Sequence, residues 1–265
     1  MSAHILVFDS GLGGTTVLEH IRCALPEAQF SYFMDNAYLP YGKQSQQTII
    51  NRLSALLDYI TVNQLAVDIL VIACNTASTA ALSAVRKLAS IPIVGVVPAI
   101  KPATLITQSK HIALLATPAT VQSAYTQQLI QEYAKDVTVH LYASVELVNI
   151  AEQAYLNKQL DQNKLTAELD RLAIDHSVDV IVLGCTHFPL LTHGINDYFA
   201  GAVRLLDSGA AIAKRVVTLL ATEKRPEVAV DKKKPLHFYA TASIYIDKQP
   251  VELVTLTDLT QNEKS

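Results

Sequence analysis

Residues 71–79, VIACNTAST, decide the fold of this chain: an apolar run ends on Cys74, and small polar residues follow at once. A continuous run of branched apolar residues is typical of a strand that is buried on both faces of a parallel sheet. Apolar positions at helical spacing follow over residues 76–89, and another apolar run follows at residues 93–96. This alternation of strands and helices predicts an α/β fold with mostly parallel sheets flanked by helices.

The motif at this cysteine occurs twice. VDILVIAC, which ends at Cys74, recurs as VDVIVLGC, which ends at Cys185. In the same way, HILVFDS from His4 resembles HIALLAT from His111. The two matches have offsets of 111 and 107 residues, and such nearly equal offsets predict two similar lobes with the two cysteines at equivalent strand ends.

A cleft between the lobes follows from the same arrangement. Ligands of open α/β sheets bind beyond the carboxyl ends of the strands. Polar or reactive residues follow several of the predicted strands at this end, and they are our candidates for a functional site: Asp9, Ser10, Cys74, Asn75, Thr76, Thr117, Cys185, Thr186 and His187.

Composition and charge exclude several classes of protein. The chain has 265 residues, half of them hydrophobic, and a net charge of −3, so we expect neither a nucleic-acid surface nor an anionic membrane partner. It has no apolar run long enough to span a membrane and no pattern of a secretory signal, which favours a cytoplasmic location. Three sparse cysteines indicate reduced thiols, and Cys23 is expected to pack as a small apolar residue.

The paired thiols leave four chemistries open. A redox pair usually has its cysteines close in sequence, and a structural zinc site, here with His187 as a further ligand, usually has short ligand spacings. A hydrolytic pair of Cys185 and His187 leaves Cys74 without a role. Two-base proton transfer uses both thiols, because one removes a proton from one face of a stereocentre while the other supplies a proton to the opposite face.

Two-base transfer needs a group beside each thiol that holds or accepts the proton. Asp9 follows the first strand and could serve Cys74. His187, oriented by Glu146, could serve Cys185. These helpers differ between the lobes although the strands repeat, and we expect that asymmetry if the two antipodes are handled by different helpers.

Six sequence blocks resemble the signature motifs of bacterial glutamate racemases. In order along the chain they are FDSGLGG, PYG at residues 40–42, ACNTAS, GVVPAIKPA, GCTHFPLL and, from Asp207, DSGAAIA. The resemblance implies interconversion of L- and D-glutamate without a cofactor or a metal ion, which supplies D-glutamate for peptidoglycan. It also implies a homodimer and two α/β lobes, the first of residues 1–97 with 207–265 and the second of residues 98–206.

The resemblance further assigns roles to single residues. Cys74 would act on D-glutamate and Cys185 on L-glutamate, with auxiliary roles for Asp9, Glu146 and His187. Together with the cleft, it predicts these substrate-binding residues: Asp9, Ser10, Tyr41, Gly42, Asn75, Thr76, Thr117, Thr186 and His187.

Structural roles stay open for some of these residues. Ser10 or Thr76 could be only the N-cap of a helix. Tyr41 and Gly42 could form only a turn, and Glu146 could act only on the dipole of its helix. For the whole chain, an enzyme that acts on aspartate or another acid is one alternative, and a non-catalytic binding module with the same cleft is another.

Overall fold

Two parallel sheets form the core of the protein, and the computed structural model describes residues 2–222 and 235–256. The strands in chain order are β1 (His4–Asp9), β2 (Gln29–Met34), β3 (Ile69–Ile72), β4 (Ile93–Gly95), β5 (His111–Ala116), β6 (Thr138–Ala143), β7 (Val180–Leu183), β8 (Arg204–Leu206), β9 (His237–Ala240), β10 (Tyr245–Ile246), β11 (Gln249–Pro250) and β12 (Glu252–Leu253). The first sheet has the order β12-β9-β2-β1-β3-β4, and the second has the order β6-β5-β7-β8. Strands β10 and β11 form a separate antiparallel hairpin.

The strand order shows the repeat directly. The order β2-β1-β3-β4 of the first sheet recurs as β6-β5-β7-β8 in the second, and the neighbouring strands of both sheets are parallel. The registers correspond as well, since Phe8 lies beside Ile72 as Leu115 lies beside Leu183. The prediction of two similar lobes with parallel sheets is confirmed.

Helices flank both sheets. They are α1 (Thr15–Ala24), α2 (Gln46–Val62), α3 (Asn75–Leu88), α4 (Ile100–Ile106), α5 (Pro118–Gln122), α6 (Ala124–Tyr133), α7 (Glu146–Asn157), α8 (Gln162–Leu172), α9 (Thr192–Tyr198) and α10 (Gly209–Thr222). Short 3-10 helices are formed by Asn36–Tyr38, Tyr41–Lys43 and Phe188–Leu191. Within the described ranges, none of the helices has both the length and the apolar character that crossing a membrane requires.

Apolar side chains cover both faces of each sheet. Along β1, Leu6 and Phe8 pack into one apolar cluster while Ile5 and Val7 pack into another on the opposite face. The strands of the second sheet divide between two clusters in the same way. Because both faces are buried along β1, β3, β5 and β7, these strands are apolar in their interiors, and their polar residues are confined to the strand ends.

The C-terminal segment extends the first sheet. Strand β9 pairs with β2, and β12 pairs with β9, so both lie at the edge beyond the repeated part. Helix α10 returns to the first lobe and packs against α1. The lobe limits of 1–97 with 207–265 and of 98–206 stay a prediction, and residues 223–234 and 257–265 lie outside the described part.

Cys23 departs from the expected packing. Helix α1 buries Val17, Leu18 and Ile21, and Cys23 is exposed because it lies off this apolar stripe.

Candidate active site

The two cysteines of the repeat lie at the carboxyl ends of corresponding strands. Cys74 follows β3 and is the N-cap of α3, whereas Cys185 follows β7 in the turn that leads to the 3-10 helix Phe188–Leu191. Their residues are only 5% and 7% exposed. The thiols are close enough that charge on Cys185 contributes to the raised pKa of Cys74.

Cys74 lies beside a buried carboxylate. Its Sγ is 3.9 Å from the hydroxyl oxygen of Ser10, and that hydroxyl donates to Oδ1 of Asp9 at 3.2 Å. Burial raises the pKa of the Cys74 thiol, and the neighbouring Asp9 carboxylate raises it further. In this state of the protein Cys74 therefore holds its proton.

Asp9 connects the two lobes. It is the last residue of β1, and its buried carboxylate accepts a hydrogen bond from the backbone N–H of Gly11 at 3.0 Å. From the other lobe, the hydroxyl of Thr186 donates to Oδ2 at 2.7 Å. Burial raises the pKa of Asp9, although the nearby His187 and the two hydrogen bonds oppose that shift.

Cys185 lies beside an imidazole that is paired with a carboxylate. Its Sγ is 3.8 Å from Nδ1 of His187, and Nε2 of the same ring is 2.5 Å from Oε1 of Glu152. Burial opposes protonation of His187, but the hydrogen bonds with Cys185 and Glu152 raise its pKa well above the usual value. These two contacts therefore favour the protonated form of the ring.

The glycine-rich loop after β1 reaches this pair from the first lobe. The backbone N–H of Leu12 donates to Oε1 of Glu152 at 2.6 Å. A Cβ on Gly11 would overlap the Glu152 carboxylate, and a Cβ on Gly13 would overlap the His187 ring. Glycine is required here because the backbone approaches these side chains so closely.

Three threonine hydroxyls form a second contact between the lobes. Thr76, in the first turn of α3, lies 2.9 Å from the hydroxyl of Thr117 and 3.2 Å from that of Thr120. Thr117 is also the N-cap of α5 and accepts from the backbone N–H of Thr120. The N-terminus of α3 thus presents hydroxyls and backbone N–H groups to the cleft, which is a setting that favours a carboxylate.

Asn75 stands out among the buried polar groups. Its side-chain Nδ2 is buried and has no hydrogen-bond partner within residues 2–222 and 235–256. Buried donors of this kind are rare, because an unpaired polar group costs about 1–3 kcal/mol. Asn75 directly follows Cys74, and with Cys185 it lines a small cavity of about 10 Å³.

Tyr41 and Gly42 begin the 3-10 helix Tyr41–Lys43. Tyr41 is buried in the same apolar cluster as Cys74, and its hydroxyl donates to Oδ2 of Asp35 at 2.6 Å. A Cβ on Gly42 would lie 3.0 Å from Cβ of Thr117, so the backbone of this turn lies directly against the Thr117 side chain of the second lobe.

A family model described as Asp/Glu/Hydantoin racemase matches residues 13–216, a span that contains both buried cysteines. The chain belongs to this family. The prediction that the protein is an amino-acid racemase is confirmed.

Relatives within the racemase family share most of the chain. A glutamate racemase of Shewanella woodyi is 50% identical over 223 residues, which cover 84% of this chain and 83% of the relative. The crystal structure of Escherichia coli glutamate racemase with L-glutamate and the activator UDP-MurNAc-Ala has a TM-score of 0.83 at 37% identity, covering 91% of this chain and 90% of that one. A Francisella tularensis glutamate racemase with D-glutamate has a TM-score of 0.76 at 25% identity, covering 96% and 98%.

The racemase fold does not bring Glu146 to His187. Glu146 is exposed in the first turn of α7, and its carboxylate accepts from the side chain of Asn149 at 3.0 Å. Its position agrees with the alternative interpretation, in which Glu146 interacts only with the dipole of its helix. Glu152, one and a half turns further along the same helix, is the carboxylate that pairs with His187.

Sequence reasoning missed Glu152, although a signal was present. Helix α7 buries Val148, Ala151 and Glu152 together, so a charged residue lies on the apolar stripe of the helix. A carboxylate at such a position needs a buried partner, because an unpaired buried charge is costly. Thr120 was missed as well, since its role depends on a contact between the lobes.

The structure also bears on the alternative roles that the sequence left open for single residues. The N-cap of α1 is Gly14 and that of α3 is Cys74, so neither Ser10 nor Thr76 caps these helices. Cys74 and Cys185 are free thiols. Over the described residues of this racemase, His, Cys, Asp and Glu side chains form no group of three or more that could hold a metal ion.

Proposed function

We propose that the protein interconverts L- and D-glutamate, with Cys74 and Cys185 as the two bases. The observation that carries this proposal is the pair of buried thiols at equivalent strand ends, each with its own proton-holding neighbour. Relatives that are 50% and 51% identical to this chain are named glutamate racemases, and related structures contain L-glutamate or D-glutamate. These comparisons support glutamate over aspartate as the substrate.

Recognition of glutamate uses neutral donors. Hydroxyls of Ser10, Thr76, Thr117 and Thr186 and the N-terminus of α3 are grouped around the thiols. The unpaired Nδ2 of Asn75 completes this set as a donor for a substrate carboxylate. Hydrogen bonds and a helix N-terminus can bind a carboxylate without a cationic side chain in contact with it.

Proton transfer at the α-carbon divides between the two lobes. With L-glutamate, the thiolate form of Cys185 removes the α-proton and becomes a neutral thiol, and protonated His187, held by Glu152, stabilises the thiolate before the transfer. Cys74, which holds its proton, supplies it to the opposite face of the carbanion. The carbon is inverted, and with D-glutamate the two thiols exchange roles.

Substrate access requires movement of the lobes. The cavity beside Asn75 and Cys185 has a volume of about 10 Å³, which is space for about one water molecule and too small for a five-carbon dicarboxylate. Near the thiols the lobes meet through the bonds of Thr186 to Asp9 and of Thr76 to Thr117. Those contacts must open to admit glutamate, and closing again excludes water from the carbanion.

The cellular role follows from the product. D-glutamate formed by this reaction would supply peptidoglycan synthesis in the cytoplasm, and the protein would act as a homodimer without a cofactor.

A direct assay tests the proposed function. Purified protein is incubated with L-glutamate or D-glutamate, without pyridoxal phosphate or added metal, and the optical rotation is followed. We expect both solutions to reach the same racemic end point, and aspartate to remain unchanged. Binding of glutamate with no racemisation and no exchange of its α-proton would instead indicate a non-catalytic binding module.

A further inference from the structure

Asp35 is a second buried carboxylate, and it follows β2 at the same edge of the first sheet as the active site. Its side chain is 0% exposed. It accepts four hydrogen bonds, namely from Tyr41 Oη at 2.6 Å, Arg52 Nε at 2.9 Å, Arg52 Nη2 at 2.8 Å and Thr241 Oγ1 at 2.8 Å. Both carboxylate oxygens are therefore used twice, and each partner comes from a different part of the chain.

The ion pair at the centre of this group is not explained by stability alone. The Arg52 side chain is only 7% exposed. A buried ion pair is on balance often no more stabilising than apolar residues of the same volume, because both charges lose their hydration. What a bidentate pair supplies is a fixed geometry, since the guanidinium and the carboxylate lie in one plane.

One partner of Asp35 belongs to the turn of Tyr41 and Gly42, which the sequence predicts to bind the substrate. Burial, and after it the Asp35 carboxylate, raise the pKa of Tyr41 well above the usual value, so its hydroxyl stays protonated and donates. The next residue, Gly42, lies against Thr117, whose hydroxyl contacts that of Thr76. The position of Asp35 thus sets how closely this turn approaches the carboxylate-binding hydroxyls.

The other partners belong to the C-terminal segment. Thr241 donates to Asp35, and Nη1 of Arg52 donates to the backbone carbonyl of Leu256 at 3.1 Å. Asn36 adds three hydrogen bonds to the backbone of Thr241 and Ala242 at 2.8–3.0 Å. Residues 235–256 are therefore attached to the same carboxylate that holds Tyr41.

We propose that Asp35, held by Arg52 and Thr241, is a positioning residue for the Tyr41–Gly42 turn, and that the C-terminal segment contributes to glutamate binding through it. This inference rests on the proposed function. Asp35 touches no reacting atom, and it acts through the turn. Loss of one of its bonds loosens the turn, so the substrate is bound less tightly while the thiols and their helpers are unchanged.

Thr241→Val is the most direct test, because it removes the hydrogen bond to Asp35, together with the one that the hydroxyl accepts from the backbone N–H of Ala37 at 3.1 Å, and retains the shape of the side chain. We expect the KM for both antipodes of glutamate to rise roughly twofold to tenfold, the range that one hydrogen bond is worth. The kcat should change by less than about twofold, because the groups that transfer protons are not altered. Thr241→Ser, which restores the hydroxyl, should return the KM to that of the wild type.

Thr107→Val is the matched control. The Thr107 hydroxyl donates to Oδ1 of Asp179 at 2.6 Å, at the opposite end of the second sheet from Cys185. This variant, like Thr241→Val, loses one bond that a hydroxyl donates to a carboxylate and one that it accepts from a backbone N–H. It should therefore lower the melting temperature without changing the KM. Arg52→Lys keeps the charge of the pair but not its bidentate geometry, and we expect a rise in KM larger than that of Thr241→Val.

The outcomes separate this inference from the proposed function. If the wild type does not racemise glutamate, the proposed function fails. If the wild type is active and Thr241→Val lowers the melting temperature as Thr107→Val does, with an unchanged KM in both, the group around Asp35 is only structural and the inference is overturned. A lower kcat at unchanged KM would also overturn it.

Discussion

Cys74 and Cys185 occupy the same place in two corresponding sheets, yet the groups beside them carry opposite charge. Cys74 faces Ser10 and the buried carboxylate of Asp9, and burial keeps its thiol protonated. Cys185 faces the His187 imidazolium. The comparison teaches that the repeated strands supply two equivalent positions for a thiol, and that residues that differ between the two copies give each position its own electrostatic setting.

The asymmetry has a chemical consequence. In the structure Cys74 is in the form that supplies a proton, and Cys185 has beside it the cation that stabilises a negatively charged sulfur. Such a site is set to receive L-glutamate, whose α-proton Cys185 removes in our proposal. To receive D-glutamate, the site must first move a proton between its two sides.

Loss of either thiol is expected to have the largest effect. Cys74→Ala and Cys185→Ala should each lower racemisation in both directions by about 10²–10⁴-fold, because inversion needs a base on one face and an acid on the other. Circular dichroism of glutamate solutions measures both directions. Cys23→Ala changes an exposed thiol outside the site and should retain full activity. Undiminished turnover in either of the first two variants would end the two-thiol account.

Replacing a residue that supports only one of the two thiols should affect the two antipodes of glutamate differently. The equilibrium constant of racemisation is 1, so kcat/KM must fall equally in both directions and cannot by itself show which side is impaired. The isotope effect on kcat/KM for α-deuterated substrate can. Glu152→Gln should lower kcat/KM roughly tenfold to hundredfold and raise the isotope effect with L-glutamate, because it removes the partner that holds His187 as a cation.

Asp9→Asn is the counterpart on the other side. It should raise the isotope effect with D-glutamate instead, because Asp9 is the carboxylate beside Cys74. Equal changes with both antipodes in both variants would show that the helpers are not divided between the thiols.

A smaller effect is expected at Asn75, which belongs to neither helper pair. Asn75→Ala should raise the KM for glutamate about tenfold, since a buried donor to a carboxylate is lost. It should not lower the free energy of unfolding, because Nδ2 has no partner in the described part of the protein to lose. Asn63→Ala removes an exposed amide that donates to Tyr59, and its KM should equal that of the wild type. A destabilised Asn75→Ala with unchanged KM would contradict the assignment.

The smallest effect concerns stability against pH. The pKa of His187 is higher in the folded protein than in the unfolded chain, where it is about 6.5. Its contribution to the free energy of unfolding is therefore complete below about pH 6.5 and is lost, by up to about 1.4 kcal/mol per pH unit, as the pH rises toward the pKa in the folded state.

Urea unfolding between pH 6 and pH 9 measures this contribution. The difference in free energy of unfolding between the wild type and Glu152→Gln should shrink as the pH rises. Asp197→Asn, which removes the partner of the exposed His193, should leave the pH profile of the wild type unchanged. A constant difference across the range would show that His187 is not charged through its pair with Glu152.

The repeat explains how much the sequence could predict. Strands buried on both faces are recognisable in the sequence as apolar runs. The two matching motifs therefore predicted Cys74 and Cys185 at the carboxyl ends of corresponding strands. The polar residues at the carboxyl ends of the strands, such as Asp9 and Thr186, were predictable as neighbours because these ends of parallel strands share one edge. Their hydrogen bond across the cleft was not, since it depends on how the lobes meet.

Contacts between elements that are distant in sequence account for what was missed. Glu146 and Glu152 lie on one helix, and only the packing of α7 shows that the second of them faces His187. The attachment of Thr241 to Asp35 is likewise a contact across 206 positions of the chain. No local pattern marks either contact, because the partner is brought in by the tertiary fold.

The central claim is that protons leave and reach the α-carbon from opposite faces through two different thiols. Racemisation of L-glutamate in D₂O, stopped at low conversion, tests it most directly. We predict that nearly all the D-glutamate formed carries deuterium at the α-carbon, while the remaining L-glutamate retains its original proton. D-glutamate that keeps the proton of the substrate, or L-glutamate that exchanges as fast as the product forms, would show that one shared base does the work of both thiols.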